Sequence, residues 1–160
     1  SIPDGILPTG PGVSFLVPIS ISDGVGVDGF RFAVEFDPTA LTYDGSFSPV
    51  PVSGFALSAV NDASPGRIIV TGASGVPLGA GAATLITFRL ASTGAVGGEV
   101  PLTFDTVLTE LNGGLITPSF DDGSVILPEL TGVVDWTLFD DEVAAPDSSL
   151  PVARLYDNGR

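Results

Sequence analysis

The sequence predicts an all-β protein, and composition supports this prediction in two ways. Charged residues make up only 15% of the 160-residue chain, which disfavours long helices that carry many ion pairs. The 21 glycines and 14 prolines divide the chain into short runs rich in Val, Ile, Thr and Phe, the residues that favour strands. Turn signals recur about every 8–12 residues, as in a β-sandwich or jelly roll.

The strands follow one another from residue 13 onward. The first clear run, residues 13–21, is followed by a glycine- and aspartate-rich turn. Strict alternation marks residues 29–36 as a half-buried strand, which Asp37 and Pro38 terminate. Its inward set is Phe30, Phe32, Val34 and Phe36, and its outward set is Gly29, Arg31, Ala33 and Glu35. Further strands are predicted at residues 41–47, 54–60, 67–71, 83–91, 99–107, 115–120 and 123–127.

The chemistry missing from the sequence argues against an enzyme. The chain contains no His, Cys, Lys, Met or Gln, which removes the commonest general base, the thiolate nucleophile and Schiff-base chemistry. Carboxylates occur as the adjacent pairs Asp121–Asp122 and Asp140–Asp141. Neighbours on a strand point to opposite faces, so adjacency does not make a catalytic pair. We therefore predict a non-catalytic protein.

Charge restricts the partners. The net charge of −14 and the sequence pI of about 4.1 exclude nucleic acid and anionic membranes on electrostatic grounds. No basic residue lies between Arg89 and Arg154, where the acidic residues concentrate. This acidity favours either solubility, calcium binding or a cationic partner surface. No apolar run is long enough to span a bilayer. The chain begins without Met, as a processed secreted chain would, so we expect an extracellular location.

Four aspartates are candidate calcium ligands. Asp23 and Asp28 flank one glycine-rich loop, and Asp121 and Asp122 precede Gly123. Carboxylates beside turn carbonyls suit a hard cation such as calcium, although neither loop has the spacing of an EF-hand. Asp-Gly is also the ordinary chemistry of a tight turn, and both interpretations stay open.

The chain changes character after residue 127. We predict a sandwich over residues 1–127 and an acidic C-terminal extension over residues 128–160, which holds strand-like runs at 132–139 and 150–156. The extension either folds back on its own sandwich or donates a strand to a neighbouring subunit. Five apolar or aromatic side chains are its candidate anchors: Trp136, Leu150, Val152, Leu155 and Tyr156.

An ordered series of motifs resembles the cohesin family, the modules with which cellulosomal scaffoldins bind dockerins. The series spans residues 12–127 and reads VPISIS, GFRFAVEFDPTALTY, GRIIVTGASG, LITFRLAS, GEVPLTFD and DDGSVIL. The resemblance implies a nine-stranded jelly-roll sandwich in a bacterial or archaeal extracellular setting. It also implies non-covalent binding of protein without catalysis.

The resemblance points to one sheet face as the contact surface. In cohesins, the face that meets the dockerin has a central strand that corresponds here to residues 29–36. The cellulosomal type tends to carry hydrogen-bonding polar or acidic residues there, whereas this chain has one arginine and two small residues beside Glu35. Arg31 and Glu35 are therefore the predicted contacts, and the partner is expected to differ from an ordinary dockerin. The family's opening strand is short here, with three prolines within residues 1–12.

These observations give three candidate functions. The first is a structural subunit of a surface assembly, in which head-to-tail strand donation produces a filament. The alternative is a cohesin receptor for a dockerin-bearing protein. Carbohydrate binding comes third, because it needs an exposed aromatic platform. Tyr43, Trp136 and Tyr156 are well separated in the sequence, and the ten Phe lie mostly at inward strand positions.

Overall fold

A computed structural model describes residues 1–95 and 97–129 of the chain. Ten strand segments account for most of the regular structure in these ranges, and the only helical element among them is a 3-10 turn at Asn112–Gly114. None of the described helical residues forms a helix long and apolar enough to cross a membrane. The strands are β1 Ser14–Ile21, β2 Gly29–Glu35, β3 Leu41–Tyr43, β4 Val50–Pro51, β5 Ala56–Asn61, β6 Arg67–Ala73, β7 Ala83–Ser92, β8 Glu99–Phe104, β9 Glu110–Leu111 and β10 Gly123–Ile126.

The strands form two antiparallel sheets. One sheet has β7 at its centre, with β1 on one side and the short β3 and β4 on the other. The second sheet has the order β10-β8-β2-β6-β5, with β9 pairing alongside β2. The inward side chains of both sheets share one hydrophobic core. The predicted all-β sandwich is confirmed.

Most of the predicted strands are present within about two residues of their expected ends. The strand predicted at residues 115–120 is wrong, because Ile116 makes only an isolated bridge to Leu111. Between these two residues Asn112 adopts a positive φ of 49°, and its Oδ1 accepts hydrogen bonds from the backbone N–H groups of Asp28 (3.0 Å) and Gly29 (3.1 Å). This long-range anchor turns the chain where the apolar pattern alone favoured a strand. The two-residue β4 was not predicted, because Pro51 reads as a strand breaker.

Phenylalanine rings fill the core beside the six-stranded sheet. The Phe30 ring stacks on Phe32 at 5.0 Å between centroids and on Phe55 at 5.7 Å. The opposite sheet contributes Phe88, which has no exposed surface. Gly72 in β6 lies against the Phe30 ring, and a Cβ at this position would come within 2.5 Å of Phe30 Cζ. The aromatic stack therefore depends on the missing side chain of Gly72.

The N-terminal segment covers the outer edge of β10. Ile6 forms a parallel bridge with Val125, and the Ile6 N–H donates to the Ser124 carbonyl at 2.9 Å. The Ile126 N–H in turn donates to the Ile6 carbonyl at 2.9 Å, and the Ile2 N–H donates to the Asp121 carbonyl at 2.9 Å. Despite its prolines, the opening segment thus completes this edge within the same chain.

Asp44 ties three parts of the first sheet together. Its carboxylate accepts hydrogen bonds from the Ser46 hydroxyl and from the hydroxyl of Ser14 in β1, at 2.7 Å for Ser14. It also lies 3.6 Å from the guanidinium of Arg89 in β7. The hydrogen bonds from Ser46 and Ser14, with a smaller contribution from Arg89, lower the pKa of Asp44 to about 2. The charged form of Asp44 is therefore the form that the fold stabilises.

Replacing Gly72 with alanine will destabilise the sandwich by about 1–3 kcal/mol, because the added methyl group overpacks the site against the Phe30 ring. Urea unfolding followed by fluorescence measures the change. Gly29→Ala is the matched control, since a Cβ there meets only the Gly72 carbonyl oxygen, at an ordinary 3.8 Å. Equal effects of the two substitutions would contradict this description of the core.

Asp44 will titrate at about pH 2 in the folded chain, below the ordinary aspartate value of 3.8. A lowered pKa means that the carboxylate contributes stability above about pH 4, and that this contribution is lost as the pH falls toward 2. The difference in unfolding free energy between wild type and Asp44→Asn should therefore shrink across this window. NMR titration of the Asp44 carboxyl carbon checks the pKa, and a midpoint near 3.8 would contradict it.

Candidate functional site

The outward face of the six-stranded sheet carries the site that the sequence predicts. The central strand β2 alternates as expected, with Phe30, Phe32 and Val34 buried in the core. Arg31 is half-buried and Glu35 is exposed on the opposite side of β2. The structure thus brings the two predicted contact residues of the sandwich to one face.

A turn after β8 packs beside the middle of β2. Ala33, which lies between Arg31 and Glu35 on β2, has no exposed surface. The Asp105 N–H donates to the Ala33 carbonyl at 2.9 Å, and the buried Thr109 hydroxyl oxygen accepts a hydrogen bond from the Ala33 N–H at 3.0 Å. The Arg31 Nε donates to the Leu108 carbonyl at 2.9 Å. The turn at residues 105–109 therefore packs beside Ala33 in the gap between β8 and β9, and only the two ends of the outward side of β2 are accessible.

Ion pairs hold the charged groups of the face. Arg31 lies 3.3 Å from Glu110 in β9. Arg67 in β6 lies 3.7 Å from Asp105 and 3.9 Å from Glu35. These groups are partly exposed to water, so each pair adds little stability, typically less than about 1 kcal/mol. Their effect is to orient both arginines along the sheet with their charge already balanced.

Uncharged residues occupy the area between the two ion-paired arginines. Ile69 pairs with Ala33 on one side and with Asn61 on the other, and Thr71 pairs with Arg31 and Ala59. Ile69 and Thr71 are half-buried, whereas Ala59 and Asn61 are exposed. The result is a flat patch across β6 and β5 that we call the sheet-face patch, comprising Ala59, Asn61, Ile69 and Thr71.

Three residues of this face were not predicted as contacts. Arg67, Ile69 and Thr71 alternate with the buried Ile68 and Val70, so the same period-two pattern that identified Arg31 and Glu35 could have identified them. The register that places them beside β2 depends on long-range pairing and cannot be derived from the β6 sequence alone. The other predicted contacts, Trp136, Leu150, Val152, Leu155 and Tyr156, lie outside the described residues.

Two of the four predicted calcium ligands, Asp23 and Asp122, accept hydrogen bonds from the backbone. Asp23 Oδ1 accepts bonds from the Gly81 N–H at 3.0 Å and the Val25 N–H at 3.1 Å, and these bonds lower the Asp23 pKa. Asp122 Oδ1 accepts a bond from the Phe104 N–H at 2.8 Å. Within the described ranges, no three His, Cys, Asp or Glu side chains cluster in a way that could hold a metal ion. Calcium binding by Asp23, Asp28, Asp121 and Asp122 stays a prediction.

A cavity of about 290 Å³ opens between the sheets at one end of the sandwich. Its walls are mainly core side chains, including Phe32, Phe104 and Phe120, with several serines at the rim. Among the described residues, Asp121 is the only carboxylate that lines it. Glycosidase chemistry uses a pair of carboxylates, and this part of the lining supplies one.

Comparison with known proteins gives structural matches only. No family model and no curated protein sequence matches the chain. The solution structure of CaCohA2 from Clostridium acetobutylicum matches with a TM-score of 0.64 at 18% identity, covering 79% of this chain and 89% of that one. The seventh ScaB type I cohesin from Pseudobacteroides cellulosolvens matches with a TM-score of 0.62 at 16% identity, covering 82% and 94%.

A third match is a complex. The third cohesin of ScaC from Acetivibrio cellulolyticus, solved with the ScaB dockerin, matches with a TM-score of 0.61 at 17% identity, covering 79% of this chain and 97% of that one. Identities this low establish the fold and leave the function to be argued from the site. The sandwich described here has the fold of a cohesin module.

Thr109→Val will destabilise the chain by about 1–3 kcal/mol, because it leaves the buried Ala33 N–H without its acceptor. Hydrogen exchange at the Ala33 amide should accelerate in the variant. Thr103→Val makes the same chemical change at a half-buried outward position of β8 and should be close to neutral. Unchanged exchange at Ala33 in Thr109→Val would show that the turn does not depend on this contact.

Proposed function

We propose that this chain is a non-catalytic module that binds another protein outside the cell, and that the outward face of its six-stranded sheet is the binding surface. The cohesin fold supports this proposal, because one of the matched cohesins was solved in complex with a dockerin. The predicted contacts Arg31 and Glu35 lie on this face. We therefore assign the chain the role of a receptor for a dockerin-type module.

The arrangement of the sheet-face patch is the observation that carries the proposal. Ile69 and Thr71 are partly accessible at its centre. Two arginines border the patch, and each is paired with a carboxylate: Arg31 with Glu110 at 3.3 Å, and Arg67 with Asp105 at 3.7 Å. A partner that covers the patch buries apolar and small polar groups without leaving an arginine unpaired. Unpaired buried charge is a main cost of forming an interface, so the patch is preorganised for contact.

Charge indicates the kind of partner. The chain carries a net charge of −14, and the Glu35 side chain remains 51% exposed despite its contact with Arg67. A dockerin-type partner with Lys or Arg around its contact surface is the complementary match. Such charges accelerate association more than they increase affinity, so binding should slow as the ionic strength rises.

The non-catalytic part of the proposal is supported by the side-chain inventory. The full sequence has neither His nor Cys, and Asp105 and Glu110 on the candidate face are engaged with arginines. Asp122 is engaged with the backbone of β8. Carboxylates held in this way serve the fold or the binding face rather than a reacting substrate.

A structural subunit that assembles by strand donation is the second candidate function. One observation favours it: over the described residues, the outer edge of β5 has no neighbouring strand. The C-terminal runs at 132–139 and 150–156 are the candidate donors. In this form the partner is another copy of the chain, and the assembly grows head to tail.

Ile69→Arg will weaken binding to a dockerin-type partner by at least about 30-fold, the equivalent of losing one hot-spot contact of about 2 kcal/mol. Calorimetric titration of the chain against a panel of dockerin modules measures the affinity. Leu16→Arg is the matched control, because Leu16 is 50% exposed and lies on β1 in the other sheet. Equal loss in both variants, or no binding to any dockerin of the panel, would contradict the proposal.

A further inference from the structure

A strand added to a sheet needs a free edge, and most edges of this sandwich are obstructed. Residues 2–6 already pair along β10. Strands β3 and β4 have only three and two residues. On β1, the Ser20 N–H donates to the Ser1 carbonyl at 2.9 Å, so Ser20 turns its backbone toward the outer edge. The backbone groups of every second residue point to the same side of a strand, so those of Pro18 also point toward the outer edge. Because proline has no N–H, this edge lacks a donor at Pro18.

The edge of β5 lacks these obstructions. Its six residues, Ala-Leu-Ser-Ala-Val-Asn, include neither proline nor charge. The Phe36 N–H bonds to the Gly66 carbonyl, and the Ser74 N–H bonds to the Asp28 carbonyl. The even-numbered residues of β6 therefore direct their backbone N–H and C=O groups toward β2. The odd-numbered residues of β6 direct their backbone N–H and C=O groups toward β5 instead. They bond there to the residues opposite them, as Ile69 does to Asn61.

This bonding pattern leaves Val60 facing outward along the edge. Neighbouring residues of a strand direct their N–H and C=O groups to opposite sides, so the Val60 groups point away from β6. Among the residues that the structure describes, none bonds to the backbone of Val60 on that side. The Leu57 and Val60 side chains pack against the core but are only partly buried. An added strand would bond to this edge and cover both side chains.

The segment at residues 132–139 has the sequence of such a strand. It reads GVVDWTLF and contains no proline, whereas the run at 150–156 contains Pro151. In an extended conformation Val134, Trp136 and Leu138 lie on one face, whereas the other face is mixed and carries Val133, Asp135, Thr137 and Phe139. An apolar face of this kind matches the partly covered Leu57 and Val60.

The length of the chain limits where residues 132–139 can lie on their own copy. The Gly97 N–H donates to the Pro128 carbonyl at 3.1 Å, so Pro128 lies beside the start of β8. A strand added to β5 would lie four strand positions from β8, about 19 Å away. Three residue steps from Glu129 to Gly132 span at most roughly 10 Å. A strand that begins at Gly132 therefore cannot lie on the β5 edge of its own copy.

We propose that the β5 edge of one copy receives residues 132–139 of another copy. This inference rests on the second candidate function and identifies both its acceptor and its donor. Each copy offers one edge and one strand, so the contact is heterologous and extends into a chain of copies.

Disulfide trapping tests the proposal in the 160-residue chain, which contains no cysteine. Ala59→Cys places a thiol on the exposed outward side of β5, and either Asp135→Cys or Thr137→Cys places one on the same side of the donor. The double variants should form dimers and longer ladders under mild oxidation, which reduction returns to monomer. Leu16→Cys replaces Ala59→Cys in the control pairs and should give no ladder.

Each outcome of this experiment supports or overturns the inference. Ladders whose yield rises with protein concentration and that need Ala59→Cys support it. Monomer in both double variants overturns it, as does intramolecular cross-linking or an equal ladder with Leu16→Cys. The dockerin titration of the Ile69→Arg variant is independent of these results, so failure of strand donation and failure of sheet-face recognition can be distinguished.

Discussion

The period-two alternation of β2 is the constraint on which the rest of the structure depends. Its inward residues stack in the phenylalanine core, and its outward residues form the candidate binding face. Because β2 pairs with β6 on one side and with β8 and β9 on the other, a one-residue shift in register would exchange the two sets. The core thus fixes the position of Arg31 and Glu35 on the surface.

The six-stranded sheet also contains the ion pairs of the candidate face and has two outer edges, at β10 and at β5. Arginines on β2 and β6 are paired with carboxylates from β9, from the turn after β8 and from β2 itself. The N-terminal segment covers the edge at β10, while the described residues leave the edge at β5 without a strand. The proposals rest on two features of this sandwich, the sheet face with its paired arginines and, over the described residues, the edge of β5.

Much of the fold could be predicted from the sequence, because alternation and turn residues are local signals. The strand at residues 29–36 and its two faces were predicted correctly. Ala33 was predicted as an outward residue but is buried, and its backbone N–H bonds to Thr109, 76 residues away, a contact that no local pattern encodes. The same reason explains the wrong strand at 115–120, where the Asn112 side chain bonds to the β1–β2 turn. The contribution of Arg67 and Ile69 to the face likewise depends on strand register.

Hydrogen exchange measured by mass spectrometry, on the full chain alone and in complex with a bound dockerin-type module, tests the central claim most directly. Recognition through the six-stranded sheet predicts that protection increases at β2, β6 and the turn at residues 105–109, while β1 and β7 exchange as before. Protection confined to β1, β3 or β7 would contradict the account, because these strands belong to the other sheet.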